Sequence, residues 1–206
     1  MSAAAIRHLS RDPVMQGLIK RVGPARLVVN KHSPYEALVR AISHQQLHGR
    51  AAETILGRFV ALFPAPFPEP ADVLNTRDHV LRECGFSGSK VAAIQDICAK
   101  TLDGVVPPRR VAMRLSDEEL IARLTSIRGV GRWTVEMLLM FTLGRPDILP
   151  VDDFGVREGY RLIHALDEQP KPRALAAIGE AWAPFRTTAA WYLWRAADAG
   201  KKIKLV

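Results

Sequence analysis

Cysteine is nearly absent from this sequence, and long apolar runs are absent altogether. Only Cys84 and Cys98 occur, fourteen positions apart, which is too few for a disulfide framework, a four-cysteine zinc site or an iron–sulfur cluster. No stretch approaches the roughly 18 apolar residues of a membrane span, and the N-terminus lacks the apolar core of a signal peptide. We therefore expect a reduced, soluble, cytoplasmic protein with no cysteine-bound metal and no membrane partner.

Acidic residues are in the minority: 21 Asp and Glu stand against 29 Lys and Arg, a net charge of +8. This balance favours a polyanionic partner, although many basic proteins bind no nucleic acid. No arginine-rich or lysine-rich tail concentrates the charge. A folded surface, rather than a disordered arm, is therefore expected to meet that partner.

The alternating pattern of a half-buried strand is nowhere sustained, whereas helical patterns are frequent. Apolar residues recur at spacings of three and four in residues 35–63, 134–143, 156–166 and 174–197. Proline and glycine break these patterns in residues 64–70, 105–108 and 144–150. The sequence therefore predicts an all-α fold.

Two glycines separate helical patterns in the segment Ile-Arg-Gly-Val-Gly-Arg-Trp, residues 127–133. Gly129 and Gly131 permit a tight turn and leave backbone N–H groups uncovered by side chains. Those groups stand at the start of the next helix, where the helix dipole favours an anion. The segment is either a phosphate-binding hairpin flanked by Arg128 and Arg132 or an ordinary tight turn with two solvated arginines.

Two adjacent aspartates, Asp152 and Asp153, follow this segment and come directly before the next helical pattern. One of them is expected to cap that helix by accepting a bond from an exposed backbone N–H. A carboxylate at a helix N-terminus is also fixed in place and favoured as an anion. A structural cap and a catalytic carboxylate are therefore compatible interpretations.

The residues around the glycines and aspartates resemble a known signature. GVGRWT at 129–134 and GRPDILPVDDFGVR at 144–157 are similar to the helix-hairpin-helix, Gly/Pro-rich, aspartate motif of the HhH-GPD DNA glycosylases, and most similar to the 3-methyladenine DNA glycosylase II family. The resemblance extends to AISHQQLHGRAA at 41–52, GFSGSK at 85–90 and WAPFRTTAAWYLW at 182–194. These blocks fall in order across most of the chain.

The resemblance implies a two-lobed helical fold. We expect residues 34–143 to form a central lobe with the wedge loop and the hairpin. Residues 1–33 and 144–206 are expected to form the second lobe, with the active site in the cleft between the two. Some members carry an N-terminal β-rich domain, for which this sequence leaves no room, so a minimal helical version is expected.

The resemblance also implies the chemistry. Asp153 matches the catalytic aspartate and Asp152 is its neighbour, expected to be the cap. A carboxylate stabilises the oxocarbenium character that develops at C1′ as the base leaves, and it can orient or deprotonate the attacking water. Lyase relatives carry a lysine in place of Trp133, and adenine-mismatch relatives carry a glutamate in place of Ala41. We therefore expect a monofunctional glycosylase for alkylated purines such as 3-methyladenine or 7-methylguanine, whose positive charge makes a general acid unnecessary.

Aromatic residues of the second half are the expected base pocket. Trp133 and Trp194 match family positions that sandwich the flipped base by stacking and cation–π attraction. Trp191 and Tyr192 are expected at its edge. Tryptophans at helical spacing also pack cores, which we expect of Trp182 and leave open for Trp191.

The resemblance makes residues 44–48 the wedge loop. Gln46, Leu47 and His48 are expected to fill the vacated stack or to touch the minor groove. The alternative is a solvated helix face with Leu47 on the core side. His44 and His48 have a spacing that suits a metal ion, but no third ligand is evident and a zinc site is not expected.

Contacts with DNA phosphates are expected from Gly129, Gly131, Arg132 and Lys90, although Lys90 fits a solvated lysine equally well. The family hairpin often binds a structural K⁺ or Na⁺ through backbone carbonyls, and no other cofactor is expected to be required. By position, those carbonyls belong to Thr125, Ile127 and Val130.

The partner implied is double-stranded DNA with a damaged base, bound by a monomer in base excision repair. The protein is then expected at the nucleoid of a prokaryote or in the nucleus of a eukaryote. Two alternatives stay open. The same machinery could act on uracil, a mismatched thymine or an oxidised purine, or the hairpin could serve a non-catalytic DNA-binding protein.

Overall fold

The computed structural model describes residues 2–203, and within this range the regular elements are all helical. A π-helical turn (Leu139–Leu143) continues α10, and a 3-10 turn (Glu180–Trp182) follows α12. The α-helices of these residues are α1 (Ala3–Leu9), α2 (Pro13–Val22), α3 (Pro34–His44), α4 (Gly49–Ala61), α5 (Pro70–Asn75), α6 (Asp78–Glu83), α7 (Gly88–Leu102), α8 (Arg109–Ala112), α9 (Asp117–Leu124), α10 (Arg132–Leu138), α11 (Phe154–Ile163), α12 (Pro172–Gly179) and α13 (Arg186–Ile203). The predicted all-α fold is confirmed.

Helix boundaries follow caps and prolines. Ser33, Ser87 and Ser116 each accept a backbone N–H at the start of α3, α7 and α9. The proline-rich residues 64–69 connect α4 to α5, and segments 105–108 and 144–150 are likewise non-helical, as predicted, whereas Pro70, predicted to be non-helical, is the first residue of α5. The pattern at 174–197 is interrupted between α12 and α13, where Pro184 stands.

Residues 30–138 form one compact unit. It contains α3 to α10, and its core is built from side chains of α3, α4, α7 and α9. The fully buried ones include Leu38, Phe59, Ile94, Leu120 and Leu124. In this unit α3 packs against α4, α7 and α10, and α9 packs against α10.

The second compact unit combines residues 2–29 with residues 139–203. The predicted boundaries, at 34 and 143, lie a few residues further along the chain. Within this unit α11 packs closely on α13. The approach is so close that a Cβ at Gly159 would collide with the backbone carbonyl of Leu193. Within residues 2–203, no helix combines the length and the apolar character needed to cross a membrane.

Candidate active site

Asp153 is the N-cap of α11. Its Oδ1 accepts the backbone N–H of Val156 at 2.8 Å, and its own N–H donates to the carbonyl of Pro150 at 3.1 Å. Because Asp153 is the N-cap, the expectation that Asp152 is the cap is wrong, and Asp152 is exposed. The geometry joins the two interpretations of the sequence, since the cap itself is the residue that the resemblance implies to be catalytic.

Trp194 holds the same carboxylate oxygen. Its indole Nε1–H donates to Oδ1 of Asp153 at 2.8 Å, so this oxygen accepts two hydrogen bonds, one from the helix and one from the indole. The indole lies 5.9 Å from the ring of Phe141, centroid to centroid, at an interplanar angle of 30°. Trp194 therefore contacts the candidate catalytic group directly, a role that its predicted place beside the flipped base did not include.

An ion pair secures the loop that leads to Asp153. The guanidinium of Arg186 donates to both oxygens of Asp147 at 2.8 Å, and the Arg186 backbone N–H donates to Oδ1 at 3.2 Å. Partial burial disfavours the charged carboxylate, but the hydrogen bonds and charge of Arg186 outweigh it and lower the pKa of Asp147. Thr187 adds two bonds, donating to the carbonyl of Arg145 at 2.7 Å and accepting the N–H of Ile148 at 3.0 Å.

In the unit of residues 30–138, the hairpin (residues 125–131) joins α9 to α10. Gly129 has a φ of +77° and lies where a Cβ would come within 3.3 Å of Ala93 and 3.4 Å of Ile42. Both the left-handed conformation and the close approach require glycine at this position. Arg128 donates its backbone N–H to Asp96 at 2.7 Å, which ties the hairpin to α7.

A pocket of about 490 Å³ opens beside this hairpin. Trp133, at the start of α10, is 45% exposed on its wall. Ala41 lines the same pocket, so the position that carries an acid in adenine-mismatch relatives offers no proton donor. The remaining wall is formed by His44, Gln45, Gln46, Thr134 and Met137.

The wedge loop separates α3 from α4. Gln46 has a φ of +57°, which is unusual for a residue with a side chain, and Leu47 is 40% exposed. His48 is the N-cap of α4 and makes no side-chain capping bond. The alternative of a solvated helix face is therefore wrong for residues 45–48, which are not helical.

Long-range hydrogen bonds hold the wedge loop and the end of α3 that leads into it. The side-chain amide of Gln45 donates to the carbonyl of Gly129 in the hairpin at 3.1 Å. The ammonium of Lys90 donates to the carbonyl of Ser43, at the end of α3, at 2.9 Å. Partial burial of this ammonium lowers the pKa of Lys90.

Residues 39–184 match the model of a family described as HhH-GPD superfamily base excision DNA repair protein. The chain belongs to the HhH-GPD superfamily. It is 45% identical over 192 residues to DNA-3-methyladenine glycosylase 1 of Schizosaccharomyces pombe, an alignment that covers 91% of this chain and 84% of the relative.

Solved structures of 3-methyladenine glycosylases are also similar to this chain over most of its length. A 3-methyladenine DNA glycosylase of Schizosaccharomyces pombe in complex with abasic DNA is similar at a TM-score of 0.84 and 44% identity, covering 94% of this chain and 96% of that chain. A DNA-3-methyladenine glycosidase of Bacillus halodurans is similar at a TM-score of 0.88 and 32% identity, covering 98% and 92%.

Several of the residues implied by the HhH-GPD resemblance are already engaged within the protein. Arg132 pairs with Glu118 at 2.9 Å and with Glu136 at 3.1 Å, so its charge is compensated by two carboxylates. The ammonium of Lys90 donates one hydrogen bond to the carbonyl of Ser43 in α3. The predicted contacts of both side chains with DNA phosphates stay predictions.

The tryptophans divide between packing and exposure. Trp182 is buried, as predicted. Tyr192 is also fully buried and donates its hydroxyl to the carbonyl of Gly23 at 3.0 Å, which corrects its predicted place at the edge of a base pocket. Trp191 is half-buried against Tyr192, with the guanidinium of Arg195 5.3 Å from its ring centroid.

Trp133 and Trp194 belong to different units, so the prediction that they sandwich the flipped base stays a prediction.

Sequence reasoning missed Phe154, the residue after Asp153. Its ring is 65% exposed at the N-terminus of α11, which makes it one of the most exposed large apolar side chains within residues 2–203. The available signal was its place in the sequence, directly after the residue predicted to be catalytic. Among the same residues, no cluster of three or more His, Cys, Asp or Glu side chains is placed to bind a metal ion.

Proposed function

We propose that this protein is a monofunctional DNA glycosylase of base excision repair that releases alkylated purines of the 3-methyladenine and 7-methylguanine type. The observation that carries the proposal is the Asp153 carboxylate, fixed at the start of α11 by the N–H groups of Val156 and Trp194. The similar proteins whose names include 3-methyladenine glycosylase cover nearly the whole chain and support the same substrate class.

Asp153 acts on the sugar. As the bond between C1′ and the base nitrogen lengthens, positive charge develops on the sugar ring, and a carboxylate held beside it stabilises that charge without reorganising. A water that attacks C1′ gives a proton to the carboxylate or to solvent, and the products are the free base and an abasic site. Two hydrogen bonds on Oδ1 fix the orientation of the carboxylate before the reaction begins.

The proposed substrates release their base without a general acid. A purine alkylated at N3 or N7 carries a positive charge and departs as a neutral molecule. Ala41 fits this chemistry because the pocket needs no acid at that position. Trp133 offers no amine to form a Schiff base with the abasic sugar, so we propose that the enzyme leaves the abasic strand uncut.

Extrusion of the base uses the wedge loop and the hairpin. Gln46, Leu47 and His48 form the exposed part of the non-helical loop 45–48, from which a side chain enters the vacated stack. The backbone N–H groups of Gly129 and Gly131 meet the phosphates of double-stranded DNA. Trp133, on the wall of the pocket, offers a ring face for the cationic base.

The HhH-GPD resemblance also implies a structural K⁺ or Na⁺ at the hairpin. Backbone carbonyl oxygens suit such cations. The carbonyl of Ile127 accepts the N–H of Val130 at 3.1 Å, which leaves its second lone pair for a ligand. Thr125, Ile127 and Val130 would hold the cation through their backbone carbonyls, and the bound ion would supply positive charge at the hairpin. We propose no other cofactor, and a monomer as the active form.

The experiment compares Asp153→Asn with Asp152→Asn on methylated duplex DNA, measuring the free bases released. Asparagine caps a helix as well as aspartate does, so Asp153→Asn removes the charge without removing the cap. We expect a loss of activity of at least about 100-fold, the scale of losing an electrostatic stabiliser of the transition state.

Asp152→Asn is the matched control, because Asp152 is the exposed neighbour of the same chemical type. We expect it to release bases at the wild-type rate. Undiminished release by Asp153→Asn, or equal losses in the two variants, would overturn the mechanism.

A further inference from the structure

Gly155 lies between the two groups that form the hydrogen bond at the active site. It is the second residue of α11, two positions after Asp153, and the indole of Trp194 covers it. A Cβ on Gly155 would lie 2.8 Å from Cδ1 of Trp194 and 3.2 Å from its Nε1. The same Cβ would lie 3.2 Å from Oδ1 of Asp153. A side chain of any kind would therefore press on both partners of the bond.

The indole has little freedom to move away while keeping the bond. Nε1 of Trp194 and Oδ1 of Asp153 are 2.8 Å apart, an ordinary length for a charge-assisted hydrogen bond. Contacts under 3.0 Å force a shift of one partner. Because the nearest atom, Cδ1, is bonded to Nε1 in the rigid ring, a shift that relieves the contact also displaces the donor.

We propose that Gly155 is a positioning residue for the glycosylase reaction: its missing side chain allows Trp194 to donate to Asp153 and so sets the orientation of the catalytic carboxylate. The proposal rests on the function proposed above. It gives Trp194 a second role, as the hydrogen-bond donor that holds the catalytic group, besides any contact with the base.

Another glycine of the same helix shows what a purely packing role looks like. A Cβ on Gly159 would meet the backbone carbonyl, carbon and Cα of Leu193, so this glycine permits the close approach of α11 and α13. At Gly155 the three nearest atoms belong to the side chains of Trp194 and Asp153. We therefore expect Gly159→Ala to disturb the packing of the two helices and Gly155→Ala to disturb the hydrogen bond between Trp194 and Asp153.

The test measures Gly155→Ala, Trp194→Phe and the double variant. Under single-turnover conditions with enzyme in excess, each single variant should release methylated purine about 10- to 100-fold more slowly, the range for losing one hydrogen bond to a charged group. Affinity for abasic duplex DNA should stay within about twofold. The double variant should be no slower than Trp194→Phe alone, because both changes remove the same hydrogen bond.

Gly17→Ala is the control, because Gly17 is an exposed helical glycine of the same unit with open space where a Cβ would stand. It should retain the wild-type rate. A second readout does not need a substrate. In ¹H–¹⁵N spectra, the indole signal that Trp194→Phe removes should shift upfield and exchange faster in Gly155→Ala, as expected when its acceptor is lost.

The outcomes separate the two proposals. A wild-type rate for Gly155→Ala, losses that multiply in the double variant, or an unchanged indole signal would overturn the positioning role and leave the proposed function standing. If the wild type releases no methylated purine, the proposed function fails, and with it the positioning role in that reaction. The indole signal would then still report whether Gly155 permits the bond.

Discussion

Arg186 and Asp147 tie the first turn of α13 to the loop that carries the chain into α11. Three hydrogen bonds of 2.8 to 3.2 Å join the two residues. Both side chains are partly buried, so the pair is shielded more than an ordinary surface ion pair. At the scale of single residues, this pair therefore fixes the loop to α13 with both charge and hydrogen bonds.

Replacing Arg186 by Gln should lower the free energy of unfolding by about 1–3 kcal/mol, because a partly buried carboxylate loses its charged partner. Urea denaturation at neutral pH measures the change. Arg195→Gln is the control: it removes an exposed ion pair with Asp198 and the exposed contact of the guanidinium with Trp191, and it should cost less than about 1 kcal/mol.

The same pair predicts an acid dependence. The folded state lowers the pKa of Asp147, so its contribution to stability is present above the unfolded-state pKa and is lost as the pH falls through the folded-state pKa. In Arg186→Gln this part of the acid dependence should flatten. A variant with wild-type stability and an unaltered acid profile would show that the pair contributes nothing.

Residue contacts of this kind are hard to predict from sequence. The bond between Trp194 and Asp153 joins residues 41 positions apart, and that between Arg186 and Asp147 joins residues 39 positions apart. Helical periodicity describes each helix alone and is silent about which side chains meet. The family resemblance pointed to Asp153 and Trp194 separately. Their direct contact, and the need for glycine at position 155, are visible only in the three-dimensional structure.

At the scale of elements, the hairpin and the wedge loop are joined. Gln45 donates from the wedge loop to the carbonyl of Gly129, across 84 positions of sequence. The bond lies within a single compact unit, so the two elements expected to contact DNA are held by one scaffold. The proposed phosphate contact at the hairpin would therefore also position the wedge loop.

Gln45→Ala should slow base release by about tenfold, which corresponds to one hydrogen bond lost from the anchored loop. Binding to undamaged duplex DNA should be nearly unchanged, since the hairpin itself is intact. The extrusion step can be followed by the fluorescence of 2-aminopurine placed beside the lesion. Gln16→Ala, at an exposed position of α2, is the control.

Unchanged extrusion kinetics in Gln45→Ala would contradict the coupling. An equal loss of affinity for undamaged DNA would also contradict it, because the defect would then lie in the hairpin.

The helices were predictable to different degrees. Strong periodicity located α11 and the pair α3 and α4, and proline located the connections. The break before α13 was missed, although Pro184 stands there, because apolar residues on both sides continue the pattern. The π-helical turn at Leu139–Leu143 has no sequence signal, since a widened turn depends on packing around it.

At the scale of the whole molecule, the net charge of +8 agrees with a DNA partner but identifies no substrate. The family motif and the similar proteins narrow the reaction to glycosylase chemistry. The proposed choice among lesions depends on the resemblance at two positions. Ala41 and Trp133 stand where it places an acid in adenine-mismatch relatives and a lysine in lyase relatives.

The most direct measurement is a screen of free bases released from duplex DNA that carries one defined lesion at a time. We expect release of 3-methyladenine and 7-methylguanine, with the resulting abasic strand left uncut. Release of uracil or 8-oxoguanine while methylated purines remain in the DNA would contradict it.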